Sequence, residues 1–417
     1  MDEKKKRLLD NFLSLGALKV IMYIIPLISL PYLSRVLGAE MFGLVFFAFA
    51  FVQYFNILTD YGFGLSATRE IAINRHNSNN LSNIFSAVMF IKLILVLLSF
   101  IILCLCIILI PRLRENWLIF VFSFFMVVGN AIYPVWFFQG MERMKYITFL
   151  NILSKTIFLI LIFIFVKQQS DYLIVPLLNS LGFIISGIIG MYFAIKHLGA
   201  KLYIPKWNAI KKQFKYSTEF FLSRASLSLY SNTNTFFLGL ISSNLMVGLY
   251  VAAEKIYIAI DSLMGPLSDA LYPYIAKYKD VKTYKKIFKY ACVVNTFVCV
   301  FVFFFAKEII TIIYGAELTQ AYLILRIFCL VVLIDAPSIL VGFPLLGASG
   351  HTKVANGSVI TGSVIHMAGL LTLFAINKLN IYSIALMVLV TECTVCSIRM
   401  FFVFKYKLLT GNREIIK

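Results

Sequence analysis

Long uninterrupted apolar runs dominate this chain. Phe85–Ile110, Trp117–Phe138, Ile147–Val166, Tyr172–Ile195 and Tyr382–Phe404 carry few charges. Each reaches the roughly 20 residues that a helix needs to cross the hydrocarbon core of a bilayer. Strands of a membrane barrel would instead alternate over segments of about 10 residues. Charged or turn-rich breaks divide the chain into twelve predicted spans, at 12–36, 42–66, 83–110, 117–139, 147–167, 172–196, 217–241, 247–271, 286–306, 320–345, 354–376 and 381–404. The pattern predicts an all-α integral membrane protein. The seventh and eighth spans are the least hydrophobic.

Polar positions inside the spans come next. An ionisable group at the bilayer centre costs about 2.5–3.5 kcal/mol on insertion scales, so several in one chain imply a wet or protein-lined interior. In the second span Gln53, Asn56 and Asp60 share one helical face. In the eighth, Glu254, Asp261 and Asp269 cluster on one side, with Lys255 alongside and Gly265-Pro266 as a helix break. The seventh runs Glu219, Ser223, Arg224, Ser226, Ser228, Tyr230, Ser231, Asn232, Thr233, Asn234, Thr235 and should border a hydrated cavity. Lys19 lies in the first span, with Pro26 and Pro31 as expected kinks. Arg326 and Asp335 lie in the tenth, and Glu392 and Arg399 in the last. Arg35, Asp60, Asp269, Lys307 and Arg399 sit near span ends, where snorkelling is the plainer reading. Glu392 with Arg399 reads equally as a structural pair. Lys92 and Lys155 stand alone and carry no functional expectation. Gly182, Ser186 and Gly190 form a small-residue stripe suited to close helix packing.

Composition sharpens the picture. Hydrophobic residues make up 61% and charged residues 14%, against about 45–50% and about 25% in soluble domains. The net charge of +19 does not indicate nucleic acid, because the cations sit in short loops. Lys4–Arg7, Arg69, Arg75, Arg143, Lys145, the six lysines of 196–215 and the six of 277–289 fall on one side of the predicted alternation. Arg35, Arg112, Arg114, Lys167, Lys307 and Lys378 fall on the other. The first, richer side is expected to be cytoplasmic, with both termini, and to meet anionic lipid. The longest loop, Lys196–Ser217, lies at the midpoint, so two halves of six spans each are expected, 1–205 and 206–417. Gly43-Leu44 and Gly248-Leu249 open corresponding spans, a faint sign of parallel repeats.

Catalytic signatures are missing from the sequence. No P-loop, G-x-S-x-G, H-E-x-x-H or G-x-G-x-x-G occurs, and four histidines are scattered. The seven cysteines lie in apolar runs and read as small hydrophobes, Cys393-x-x-Cys396 included. No cofactor or metal is expected. The basic start before Phe12 is expected to be an uncleaved first span, since the apolar stretch is too long for a signal peptide. Cations in a central cavity suit an anionic substrate, and carboxylates beside them suit a coupling proton or sodium ion.

Leu30-Pro-Tyr-Leu-Ser-Arg-Val-Leu-Gly38, Phe42-Gly-Leu44, Tyr54-Phe55, Asp60-Tyr-Gly-Phe63 and Leu65-Ser-Ala-Thr-Arg-Glu-Ile-Ala72 resemble the polysaccharide flippases, more narrowly the O-antigen transporters (Wzx or RfbX) of the MOP exporter superfamily. Tyr133-Pro-Val-Trp-Phe-Phe-Gln-Gly140 before Met141-Glu-Arg143, and Ser338–Gly350, fit the same group. The resemblance runs through the whole chain. It implies two six-helix bundles around a central cavity lined by the first, second, seventh and eighth helices. It also implies alternating access, lateral admission of a lipid tail, and flipping of a polyisoprenyl-diphosphate-linked oligosaccharide across a bacterial inner membrane for lipopolysaccharide biosynthesis. The O-antigen polymerase and chain-length regulator would be partners. On that footing Lys19, Arg224 and Lys255 are candidates for diphosphate contact. Tyr230, Asn232 and Asn234 are candidates for sugar, and Asp60, Glu254 and Asp261 for ion coupling. A multidrug or small-cation exporter of the same superfamily is the alternative; it would favour aromatics and carboxylates over lysine and arginine. A membrane polymerase or ligase would need a larger periplasmic loop than 306–319 offers.

Overall fold

The computed structural model describes residues 3–409, with side chains for 25–221 and 233–409. The side chains of Lys19, Arg224, Tyr230 and Asn232 lie outside the described residues. Among the described residues every regular element is helical. Nine helical stretches are long and apolar enough to cross a membrane, by length and composition. The first, Ile25–Asn74, covers two predicted spans. Outside that set lie the seventh and eighth predicted spans, which are the polar ones.

The chain divides into two compact units, with the boundary between Phe236 and Phe237. The first unit contains α1 (Glu3–Asp60), α2 (Phe63–Asn74), α3 (Ser78–Leu109), α4 (Pro111–Arg114), α5 (Trp117–Ile132), α6 (Val135–Gly140), α7 (Met144–Phe165), α8 (Ile174–Tyr192) and most of α9 (Trp207–Ile241). Breaks follow local chemistry. Pro26 and Pro31 are accommodated inside α1, and its interruption falls instead at Gly38, with φ 72° and ψ 167°. Only glycine adopts that backbone without strain. Pro134, which has no N–H to donate, separates α5 from α6.

Helices of the first unit approach closely through small residues. A Cβ on Gly182 would stand 2.5 Å from the Ser154 carbonyl oxygen, and one on Gly129 2.7 Å from the Ile184 nitrogen. Beside them the Ser186 hydroxyl donates to the Leu150 carbonyl at 2.9 Å. With no hydrophobic drive between helices in lipid, such backbone approach and hydrogen bonding are what hold a bundle together. The start of the midpoint connection is pinned to α3. Lys201 N donates to Ser82 Oγ, Ser86 Oγ donates to Lys201 O, and Tyr203 N donates to Ser86 Oγ.

The second unit contains the end of α9, then α10 (Asn244–Asp261), α11 (Met264–Tyr278), α12 (Val281–Phe304), α13 (Ala306–Tyr314), α14 (Tyr322–Val341), α15 (Thr352–Ala375) and α16 (Ile381–Lys405). The expected break near Gly265-Pro266 separates α10 from α11. Helix α14 packs against α10, α12 and α16. Asn295 donates to the Val332 carbonyl and the Tyr284 hydroxyl to the Leu340 carbonyl, so α12 is fastened to α14 through buried polar groups. In the turn before α12, Asp280 accepts from Thr283 N and Tyr274 Oη. Hydrogen bonds from Thr283 hold its carboxyl below the usual carboxylate range, so this cap is retained above that range and lost as pH falls through the folded-state value.

Because Gly182 leaves no room for a side chain, Gly182→Ile should destabilise the purified protein by about 1–3 kcal/mol, the usual cost of overpacking. Gly357 has nothing within 4 Å of a built Cβ, and Gly357→Ala should leave the melting temperature in detergent unchanged or raised. Equal melting of both variants would contradict the packing described.

Candidate functional site

The first unit contains a partly open polar cavity of about 380 Å³ lined by α1, α2, α3, α5 and α6, with Phe221 of α9 also in its wall. The predicted stripe of the second span faces it: Gln53, Asn56 and Asp60 all line the cavity. Their carboxamides form a chain across two helices. Asn130 Nδ2 donates to Asn56 Oδ1 at 3.2 Å, and Asn56 Nδ2 donates to Gln53 Oε1 at 3.0 Å. Gln139 lines the same cavity and accepts from the Thr68 hydroxyl.

Lys92 of α3 reaches this cavity and is only 4% exposed. It stood alone in the sequence but is buried against this cavity. Asp60 lies close enough for the two charges to act on one another, with no direct ion pair between them. Trp136 borders the cavity, is 1% exposed, and its indole N–H meets no acceptor. A buried donor left in this state costs about 1–3 kcal/mol.

Polar residues of the seventh span serve packing at three described positions. Ser217 Oγ pairs with Ser66 Oγ at 2.7 Å, Thr218 with the Tyr61 hydroxyl, and Tyr54 donates to Thr233 Oγ1. Glu70 receives Gln213 and lies 3.8 Å from Lys212. Asn234 is buried. Gly62, with φ 75°, lets α1 meet α9 closely, since a Cβ there would stand 2.7 Å from the Phe221 nitrogen.

A second polar group occupies the second unit. Asp261 at the end of α10, Asp335 of α14 and Glu392 of α16 come together, with Asp335 within hydrogen-bond reach of both other carboxyls. Asp261 Oδ1 is buried and meets no donor. Tyr257 lies in the same electrostatic neighbourhood. Arg399 stands beside Asp335 and Glu392 and supplies them a nearby positive charge, while its hydrogen bonds go to other groups. Its Nη1 donates to Ser338 O and Oγ at 2.9 Å, and its Nε donates to Ser358 Oγ at 3.0 Å. At 7% exposed, Arg399 fastens α16 to α14 and α15 rather than snorkelling, and Gly342 leaves the space for its guanidinium.

Glu254 and Lys255 are neighbours joined at 3.5 Å. Arg326 stacks between Phe303 and Tyr322 and donates to Phe303 O, which assigns it to packing. The sequence reading missed Lys92, Asn130, Trp136 and Gln139, and it left Asp335 without a partner.

Residues 8–279 match the model of a family described as polysaccharide biosynthesis protein. The chain belongs to this family. It is 31% identical over 98% of its length to all of the "Putative O-antigen transporter" of Escherichia coli (strain K12). The protein of the same name from Shigella dysenteriae is 31% identical over 87% of this chain and 91% of its own length. Two solved structures share the fold at a TM-score of 0.72. One is an inward-facing multidrug resistance MATE family transporter of the MOP superfamily, at 13% identity, covering 96% of this chain and 99% of its own. The other is the lipid II flippase MurJ in an inward closed conformation, at 14% identity, covering 95% and 87%. The chain is thus a multi-pass, all-α membrane protein of the MOP fold, as the sequence pattern and motifs indicated.

Arg399→Leu should cost about 3–5 kcal/mol of stability, because it leaves Asp335 and Glu392 buried beside no cation. Arg399→Lys should recover only part of it, since an ammonium cannot reproduce the guanidinium fork to Ser338 and Ser358. Thermal unfolding in detergent measures both, and wild-type stability of Arg399→Leu would refute the anchoring role.

Proposed function

We propose that this protein is a flippase for polyisoprenyl-diphosphate-linked O-antigen oligosaccharide, moving the unit from the cytoplasmic to the periplasmic leaflet of a bacterial inner membrane. The full-length match to proteins named as O-antigen transporters carries this reading. Transport is by alternating access between two halves divided near 205/206, with both termini cytoplasmic. The lipid-linked oligosaccharide and bilayer lipids are its partners, together with the polymerase and chain-length regulator of O-antigen assembly. Polar groups set inside membrane-crossing helices support a transport role, because hydrocarbon-facing helices do not keep such residues.

Within this reading, Lys19, Arg224 and Lys255 contact the diphosphate, and Tyr230, Asn232 and Asn234 contact sugar. Of the three carboxylates proposed for ion coupling, Asp261 is the one set beside further acids, which suits it to sharing a proton. Its Oδ1 is buried without a donor, and it adjoins two further carboxyls. Such a group is relieved by a shared proton or by a sodium ion. Glu254 faces Lys255 and Asp60 faces Lys92, so those two act in coupling through a neighbouring ammonium. The MATE likeness keeps a multidrug exporter as the competing reading.

Deleting the gene should abolish long O-polysaccharide on the cell surface, as read on lipopolysaccharide gels. Asp261→Asn and Lys255→Ala should each fail to restore it while still inserting in the membrane. Ordinary polymer in the deletion strain, or drug resistance conferred by expression without any effect on polymer, would sink the flippase reading.

A further inference from the structure

Apart from the coupling role proposed for Asp60, the polar cavity of the first unit has no part in the reading above, and its chemistry is specific. It contains one cation and one carboxylate, Lys92 and Asp60, so it is close to charge-neutral. A diphosphate would meet Asp60 without a surplus of positive charge to offset the repulsion. A bare cation would meet Lys92. Beside Thr59, Tyr133 and Trp136, the remaining polar lining is carboxamide, which presents donors and acceptors side by side in one plane. A sugar hydroxyl is both donor and acceptor, and a ring bearing several of them matches such a lining.

Two further observations point to a ligand. The Trp136 indole N–H, 1% exposed, borders the cavity and lacks an acceptor. The nitrogen is sealed from water, so a ligand oxygen would satisfy it after a small shift of the ring. Asp60 and Lys92 line the same cavity without forming an ion pair, so ligand hydroxyls there can donate to the carboxylate and accept from the ammonium. The volume, about 380 Å³, lies in the range of about 300–1,000 Å³ typical of small-molecule sites. Its residues come from α1, α2, α3, α5 and α6, helices that hold their relative positions through the buried aromatic cluster of Phe85, Trp136 and Phe137.

We infer that this cavity is a binding site for a single neutral sugar residue, recognised by Gln53, Asn130, Gln139 and Trp136 with Asp60 and Lys92 as a bridged pair. The inference rests on the flippase reading for its place in the cycle: the site would hold one residue of the oligosaccharide within the first unit, apart from any diphosphate contact.

Trp136 supplies the reporter. The chain has three tryptophans, and the other two, Trp117 and Trp207, are 50% and 71% exposed, so the Trp117→Phe/Trp207→Phe variant should fold. Full-length protein in nanodiscs is titrated with glucose, galactose, mannose, rhamnose and N-acetylglucosamine, and separately with sodium chloride and pyrophosphate. At least one sugar should change Trp136 emission saturably. Gln53→Leu should raise its apparent Kd tenfold or more, while Asp261→Asn should leave it unchanged. No saturable response to any of the sugars, or a response to sodium or pyrophosphate alone, overturns the sugar site. The same chain is tested for restoring O-polysaccharide in the deletion strain. Restoration without a sugar response defeats this inference alone, and a sugar response without restoration defeats the flippase reading alone.

Discussion

A polar side chain surrounded by hydrocarbon has no water to turn to, and each one in this molecule must be met by another protein group or by something the protein carries. Most are met locally. Ser66, Thr68, Ser123, Ser180 and Thr391 donate to the carbonyl one helical turn back. Others join helices, as Ser186 does at Leu150 and Asn295 at Val332. Arg399 spends its fork on Ser338 and Ser358. When these are set aside, four buried side-chain atoms among the described residues remain without partners, and two of them are Trp136 Nε1 and Asp261 Oδ1. Each belongs to a polar group enclosed by packed helices, one in each unit. Satisfied residues explain the fold; these two explain why the interior is not simply apolar.

The crossings were legible because a bilayer sets a length, and continuous apolar runs of that length have no other use. The Gln53, Asn56 and Asp60 face was legible because helical period puts i, i+3 and i+7 together. Lys92 was not. It looked solitary along its own helix, and the carboxylate that answers it lies on α1, at a separation periodicity cannot report. Asp335 and Glu392 were hidden in the same way, on α14 and α16. Arg399 was read as snorkelling because its place near a span end says nothing of depth, whereas Ser338, Ser358 and Gly342 on two other helices form its socket. The seventh span, most of whose polar side chains lie outside the described residues, shows an ambiguity at its described positions. Its serines and threonines suggested a wet wall, yet Ser217, Thr218 and Thr233 hydrogen-bond to Ser66, Tyr61 and Tyr54. Hydroxyls on a helix fit a cavity or a close helix contact equally well, and only the neighbouring helix decides.

Charge separates the two polar groups in kind. In the first unit Asp60 and Lys92 offset each other across a lining of carboxamides. In the second, three carboxyls gather where the nearest guanidinium is already tied to two serines. A group that needs no ion to be neutral is suited to a ligand of many weak hydrogen bonds. A group with more acid than nearby cation is relieved when a proton shares the site. On the proposed reading the two environments suit different passengers, an uncharged hydroxylated ring in one unit and a proton in the other. Exchanging them would leave each ligand facing either an unmatched charge or unpaired donors. A transporter that couples cargo to an ion needs two sites that do not compete, and dissimilar electrostatics is sufficient to keep them apart.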